Sequence, residues 1–157
     1  MQAQEQLRGL LDQEVENLQS LHNILQREYN ALVNAEIEAL EQVTVLKNQA
    51  LSIQAGLTNN RGRLVISILG SAEEDRLAQY VAASGDAQLE NLFSRLSSLA
   101  QECHELNRTN GRLIAQKQQH TLGALDILRH TDSTGSTYSF SGKTDSADQS
   151  GRTLGKA

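Results

Sequence analysis

The chain has 157 residues, 38% hydrophobic but only 3% aromatic, with no Pro or Trp and a formal net charge of -5. That length holds one domain with a modest core. Its 14 basic and 19 acidic residues are interspersed, so no cluster can neutralise a row of phosphates, and nucleic acid is excluded as an expected partner. Cys103 stands alone and cannot form an internal disulfide, which suits a reducing compartment. The first residues lack a basic segment followed by an unbroken apolar run, so no signal peptide is expected. The longest apolar stretch, 64–69, is broken by Ser67 and too short for a bilayer, and a cytoplasmic location is expected.

Leucine recurs every seven residues at Leu11, Leu18, Leu25 and Leu32, and the beat continues through Ala39, Leu46 and Ile53. Seven residues are almost two helical turns, so this row projects from one side of a helix. A second row, Leu7 and Leu21 and then Val43, Ala50 and Leu57, fills its gaps. A first helix is predicted over 4–33. Asn34, followed by Glu36 and Glu38, suits the start of a second helix, with a capping side chain and negative charge in the first turn. A tight hairpin there buries the stripe within one chain. A single unbroken rod, burying it in a dimer, is the alternative.

The second helix covers 35–59, and 59–62 ends or bends it. The apolar residues of 64–69 are read as its buried last turns, closing at Gly70. Ser71 with Glu74 has the spacing of a capping box and opens a short helix to residue 83 carrying Leu77, Tyr80 and Val81. Ser84-Gly85-Asp86 makes a break, with Asp86 as the next cap.

The last helix is predicted over 87–129. Leu89, Leu92, Phe93, Leu96, Leu99, Cys103 and Leu106 begin its stripe cleanly. From Asn107 onward Asn110, Lys117 and His120 enter, and Gly111 costs roughly 1 kcal/mol against alanine. Leu113, Thr121, Ala124, Leu125 and Leu128 continue the row, so 106–128 is a surface awaiting a partner. Residues 131–157 hold 6 Ser, 5 Thr and 4 Gly among 27 and almost nothing to bury, which predicts a flexible tail. Tyr138 and Phe140 stand out in it as a short aromatic anchor. The fold class is therefore all-α: an antiparallel bundle of three to four helices in residues 1–130, comprising a long N-terminal hairpin, a short helix and a long C-terminal helix, followed by a disordered tail.

Catalytic patterns do not occur. The sequence has no Gly-rich phosphate loop, no HExxH, no Cys-x-x-Cys and no nucleophile elbow. The residues three before His22, His104, His120 and His130 are Gln19, Gln101, Lys117 and Ile127, so the Glu-x-x-His pairs of di-iron bundles are absent. Cys103 and His104 are neighbours and point about 100° apart on a helix. Cys103 reads as a small buried hydrophobe. Glu14 and Glu28 fall beside the first stripe, a position for seam-flanking charges. No enzyme activity, cofactor or metal is expected.

The pattern LLDQEVENLQSLHNILQREYNALVNAEIEALEQVTVLKNQAL resembles the FlgN family of flagellar export chaperones. Glu28, Ala31 and Leu32 stand before the polar turn, Lys47 is central to the next helix, and Arg63 precedes Leu64. Asn107, Asn110, Gly111, Leu113 and Ile114 resemble the family's Asn-x-x-Asn-Gly-x-Leu-Ile signature, and Tyr138 lies in a Gly/Ser/Thr-rich tail. The resemblance implies a cytoplasmic chaperone for hook-associated proteins, those of the hook–filament junction. It would bind their amphipathic terminal helices, prevent premature assembly and deliver them to the export gate of the flagellar type III apparatus. Client contact is then expected at Leu106, Asn107, Asn110, Gly111, Leu113, Ile114, Thr121, Leu125 and Leu128, and gate contact at Tyr138 and Phe140. The other readings are a homodimeric coiled-coil scaffold, which makes self-association the alternative partnership, and a chaperone or adaptor of another secretion system.

Overall fold

The computed structural model describes residues 2–140, with side chains through residue 131. Its four helices are α1 (Gln2–Asn34), α2 (Ile37–Leu69), α3 (Glu74–Ala83) and α4 (Ala87–Phe140), and there is no strand among the described residues. The chain divides into two compact units, residues 1–115 and 116–157, so the division falls within α4.

The hairpin forms where expected. Ala35 takes a left-handed φ of 57°, and the Glu36 N–H donates to Ala31 O at 3.0 Å, the six-to-one bond that closes a helix with a left-handed residue after its last turn. This turn excludes the single rod. Asn34 is the last residue of α1, and the cap of α2 is Glu36, which makes no side-chain capping bond. Residues 59–62 neither end nor bend the helix, which runs on to Leu69 and stops at left-handed Gly70, whose N–H donates to Ile66 O at 2.8 Å.

Across the two non-helical residues of the turn the seven-residue phase is reset. In α1 the row Leu11, Leu18, Leu25, Leu32 is buried, but in α2 Leu46 and Ile53 are 36% and 55% exposed. The second row carries the core instead: Val43 and Ala50 are buried and Leu57 half-buried. A heptad repeat predicts a buried side only while the helix that carries it is unbroken.

The capping box at Ser71 does not form. The Glu73 N–H donates to Ser71 Oγ at 3.3 Å within the turn, and α3 starts at Glu74 with Glu73 as its uncapped N-cap. Asp86 does cap: its Oδ1 accepts from Gln88 N–H at 3.0 Å and Leu89 N–H at 3.1 Å, while Oδ2 lies 3.2 Å from an Arg8 guanidinium nitrogen. The cap thereby ties the start of α4 to α1.

Within residues 1–115, α1 is central. Asn17 Nδ2 donates to Ala50 O and to Gln54 Oε1 of α2, at 3.1 and 2.9 Å. On another flank α4 runs parallel to α1, as shown by Arg8 with Gln88, Leu18 O with Cys103 Sγ, and Leu25 O with Asn110 Nδ2. The long helices therefore alternate in direction along the chain. Leu89, Leu92, Leu96, Leu99 and Cys103 are buried at alternating three- and four-residue spacing, and α3 adds Leu77 and Val81 to the same core. Beyond Arg129, α4 continues to Phe140, so the Ser/Thr/Gly-rich segment expected to be flexible begins as helix; residues 141–157 lie outside the described residues.

Candidate helix-binding surfaces

Two buried carboxylates organise the α1–α2 seam. Glu14 Oε1 accepts from Arg61 Nε at 2.7 Å, and its Oε2 accepts from Gln54 Nε2 at 3.1 Å and Thr58 Oγ1 at 3.3 Å. Glu28 takes Lys47 Nζ at 3.1 Å on both oxygens and Asn110 Nδ2 at 2.7 Å on Oε2. Glu14 to Glu28 is fourteen residues along α1, and Lys47 to Arg61 is fourteen along α2, so both pairs obey one antiparallel register. Fourteen residues are close to four turns, which puts both carboxylates on the same side. All their charge is answered internally, and no free acid–base pair remains at either place.

Asn110 continues the three-four spacing of the α4 core after Leu106 and is fully buried. Its amide donates to Leu25 O at 2.9 Å as well as to Glu28, so it joins α4 to α1 and, through Glu28, to Lys47 of α2. A lone buried Asn at a seam position fixes register and pairing. Of the other sequence-selected residues in this unit, Leu106, Leu113 and Ile114 are half-buried and Asn107 is exposed. Gly111 is exposed too, and a Cβ built there meets nothing within 4 Å. Asn110 therefore points inward while its neighbour Gly111 stands open.

Between α2 and α4, over α1, lies a slot of about 370 Å³. Leu18, Leu21 and Leu25 form its floor, Leu51, Gln54 and Thr58 one wall, and Leu96, Ser97, Ala100, His104 and Asn107 the other. Cys103 lies at its base, with a thiol pushed up to about 11, first by burial and then by the neighbouring Glu102 carboxylate. Sequence reading did not find this slot, because a gap between helices depends on their relative placement.

In the second unit, Leu122, Leu125, Ile127 and Leu128 are all exposed, Leu125 at 49% and Leu128 at 60%. Thr121 is exposed and donates to Lys117 O at 3.0 Å. Leu122 and Ile127 lie outside the expected stripe and are exposed as well. The backbone is helical through Tyr138 and Phe140, whose side chains are outside the described residues. Among the described residues no cluster of three His, Cys, Asp or Glu could hold a metal ion, and no helix is long and apolar enough to cross a membrane.

The described residues form an all-α protein, a helical hairpin with a third long helix that carries a row of exposed leucines. The family described as FlgN protein matches residues 1–146, and the chain belongs to that family, which is one of flagellar export chaperones. No curated protein and no solved structure is similar enough to be matched. Glu28 and Lys47, two residues of the family-like pattern, are the pair that meets across the hairpin.

Proposed function

We propose that this protein is a cytoplasmic export chaperone for hook-associated proteins, holding their amphipathic terminal helices until the flagellar export gate receives them. The observation that carries the reading is the run of exposed Leu122, Leu125 and Leu128, at three-residue spacing on a helix in residues 116–131, with exposed Ile127 turned about 100° from Leu128. A client helix with apolar residues at i, i+3, i+4 and i+7 covers such a run. Covering it gains roughly 25 cal/mol per Å² of apolar surface, offset by ordering of the client, so binding is moderate and reversible. Within residues 1–115, Leu106, Asn107, Gly111, Leu113 and Ile114 are proposed as further client contacts, and Asn110 supports them from inside. Tyr138 and Phe140 are proposed to contact the gate.

The test is titration calorimetry with purified hook-associated subunits. Leu125→Glu and Leu128→Glu each weaken binding more than tenfold, a change of about 1.4 kcal/mol, with the circular dichroism of the hairpin unchanged. Binding at wild-type strength by both variants rules the row out as the client contact.

A further inference from the structure

Packing explains only half of the Asn110-Gly111 pair. Asn110 is fully buried and bonded, whereas Gly111 is exposed and a Cβ built there meets nothing within 4 Å. Glycine is a poor residue for a helix interior, and here neither a close contact nor a left-handed φ requires it. Of the chain's asparagines, Asn110 alone precedes a glycine. That dipeptide has a chemistry of its own. The Gly111 backbone nitrogen, once a base takes its proton, attacks Asn110 Cγ. The bond from Cγ to Nδ2 then breaks, and that nitrogen gains a proton from water and leaves as ammonia. Water opens the resulting succinimide at either carbonyl, which leaves aspartate or isoaspartate at position 110. Glycine favours ring closure because it has no Cβ in the way and turns freely out of the helical region.

The native structure opposes this reaction in three ways. Gly111 lies inside α4, so its N–H is held by a carbonyl one turn back. Asn110 Nδ2 donates to Leu25 O at 2.9 Å and to Glu28 Oε2 at 2.7 Å, which holds the side-chain amide against α1. The Asn110 side chain has no exposure, so water does not reach it. The protection is local. Asn110 is the last buried side chain of α4 among the described residues, and every described side chain over 116–131 is exposed. Opening the seam at this point breaks few buried contacts, so it needs far less free energy than unfolding the bundle. The product does not close again. A carboxylate at position 110 faces Glu28 Oε2, and isoaspartate lengthens the backbone within α4. We propose that Asn110-Gly111 is a deamidation site kept closed by the seating of α4 on α1, and that opening of this seam converts it irreversibly.

The test needs no client. The full chain is kept at mildly alkaline pH with and without guanidinium, and deamidation at each asparagine is followed by mass spectrometry of proteolytic peptides. Position 110 is expected to react faster than every other asparagine in guanidinium, and at least about tenfold more slowly in native buffer. Gly111→Ala, whose added methyl enters open space, slows the reaction of the unfolded chain at least about tenfold. Leu106→Ala, which trims a half-buried side chain packed on the core, speeds the native reaction severalfold, while Val45→Ala at an exposed position on α2 leaves it unchanged. Low guanidinium does the same to the wild type before far-UV circular dichroism shows any loss of helix. The deamidated chain, separated by its added negative charge, exchanges amides faster over 103–115 than the wild type. The inference is overturned if native and unfolded chains react at one rate, or if another asparagine matches position 110 in guanidinium. It is equally overturned if neither Leu106→Ala nor low guanidinium moves the native rate, or if the deamidated chain keeps wild-type protection over 103–115.

Discussion

Arg61 Nε lies 2.7 Å from Glu14 Oε1 with the Glu14 side chain 1% and the Arg61 side chain 14% exposed, so the ion pair sits inside the α1–α2 seam. Removing one partner leaves a buried charge without its counterion, which typically costs 3–5 kcal/mol. Arg61→Ala and Lys47→Ala are each expected to destabilise folding by about 3 kcal/mol in urea denaturation. Glu14→Met combined with Arg61→Met costs much less than the two single changes together, because an apolar pair of similar volume needs no counter-charge. Additive losses in that double-mutant cycle would mean that the pair does not act as a unit.

Ala35 holds φ 57° at a position where glycine is the usual residue. A Cβ in the left-handed region costs roughly 1 kcal/mol, while glycine adds entropy to the unfolded chain. The strain outweighs that entropy, since the turn geometry is fixed by the Glu36 N–H to Ala31 O bond. Ala35→Gly is therefore expected to raise stability by a few tenths to about 1 kcal/mol. Thermal unfolding reads the sign directly, and a lowered Tm contradicts the argument.

The helices were legible in the sequence because their signals are local. Alternating three- and four-residue spacing marked Leu89 through Cys103, and Asp86 showed itself as a cap by position alone. In α2 the expected row of Val43 and Ala50 is buried, whereas Leu46 and Ile53 keep the heptad beat but stand exposed because the turn at Ala35 rotates the phase. Asn110 read as part of a surface awaiting a client, yet it is buried and bonds Glu28 in the core. Nothing near Asn110 in sequence announces that partner, 82 residues away. Distant pairings and gaps between helices are properties of packing, and periodicity carries no record of them.

The Cys103 thiol is buried, donates to Leu18 O at 3.5 Å, and has its pKa raised from 9.0 to about 11. Only the thiolate attacks disulfides and alkylating reagents. Two pK units reduce its thiolate fraction near pH 8 by about a hundredfold relative to the unfolded chain. Reaction with a thiol-specific disulfide reagent should be slow in the native protein and rapid in guanidinium. The linkage has a definite sign: the raised folded value favours the native state below pH 9, and this contribution is lost as pH rises from 9.0 towards 11. Cys103→Ser, whose hydroxyl does not ionise there, should flatten that part of the stability–pH curve. An equally steep fall in the serine variant would assign the loss to other groups.

Asn110 ties α4 to α1 through one amide group and reaches Lys47 of α2 only by way of Glu28, and its Oδ1 is buried without a partner among the described residues. Replacing it therefore separates stability from specificity. Asn110→Ala removes two hydrogen bonds, one to a charged group, and is expected to cost about 2–3 kcal/mol. Asn110→Asp keeps the shape but sets a second carboxylate against Glu28 Oε2, where the amide now stands at 2.7 Å. Its loss at neutral pH should exceed that of alanine and shrink as acid protonates the pair. Asn110→Leu fills the seam with an apolar side chain, so its stability falls least, but Glu28 then keeps only Lys47. If Asn110 fixes the seating of α4, amide exchange in the leucine variant rises along 103–115 while α1 and α2 remain protected. Uniform exchange across all three helices would make Asn110 an ordinary core residue with no hold on α4 in particular.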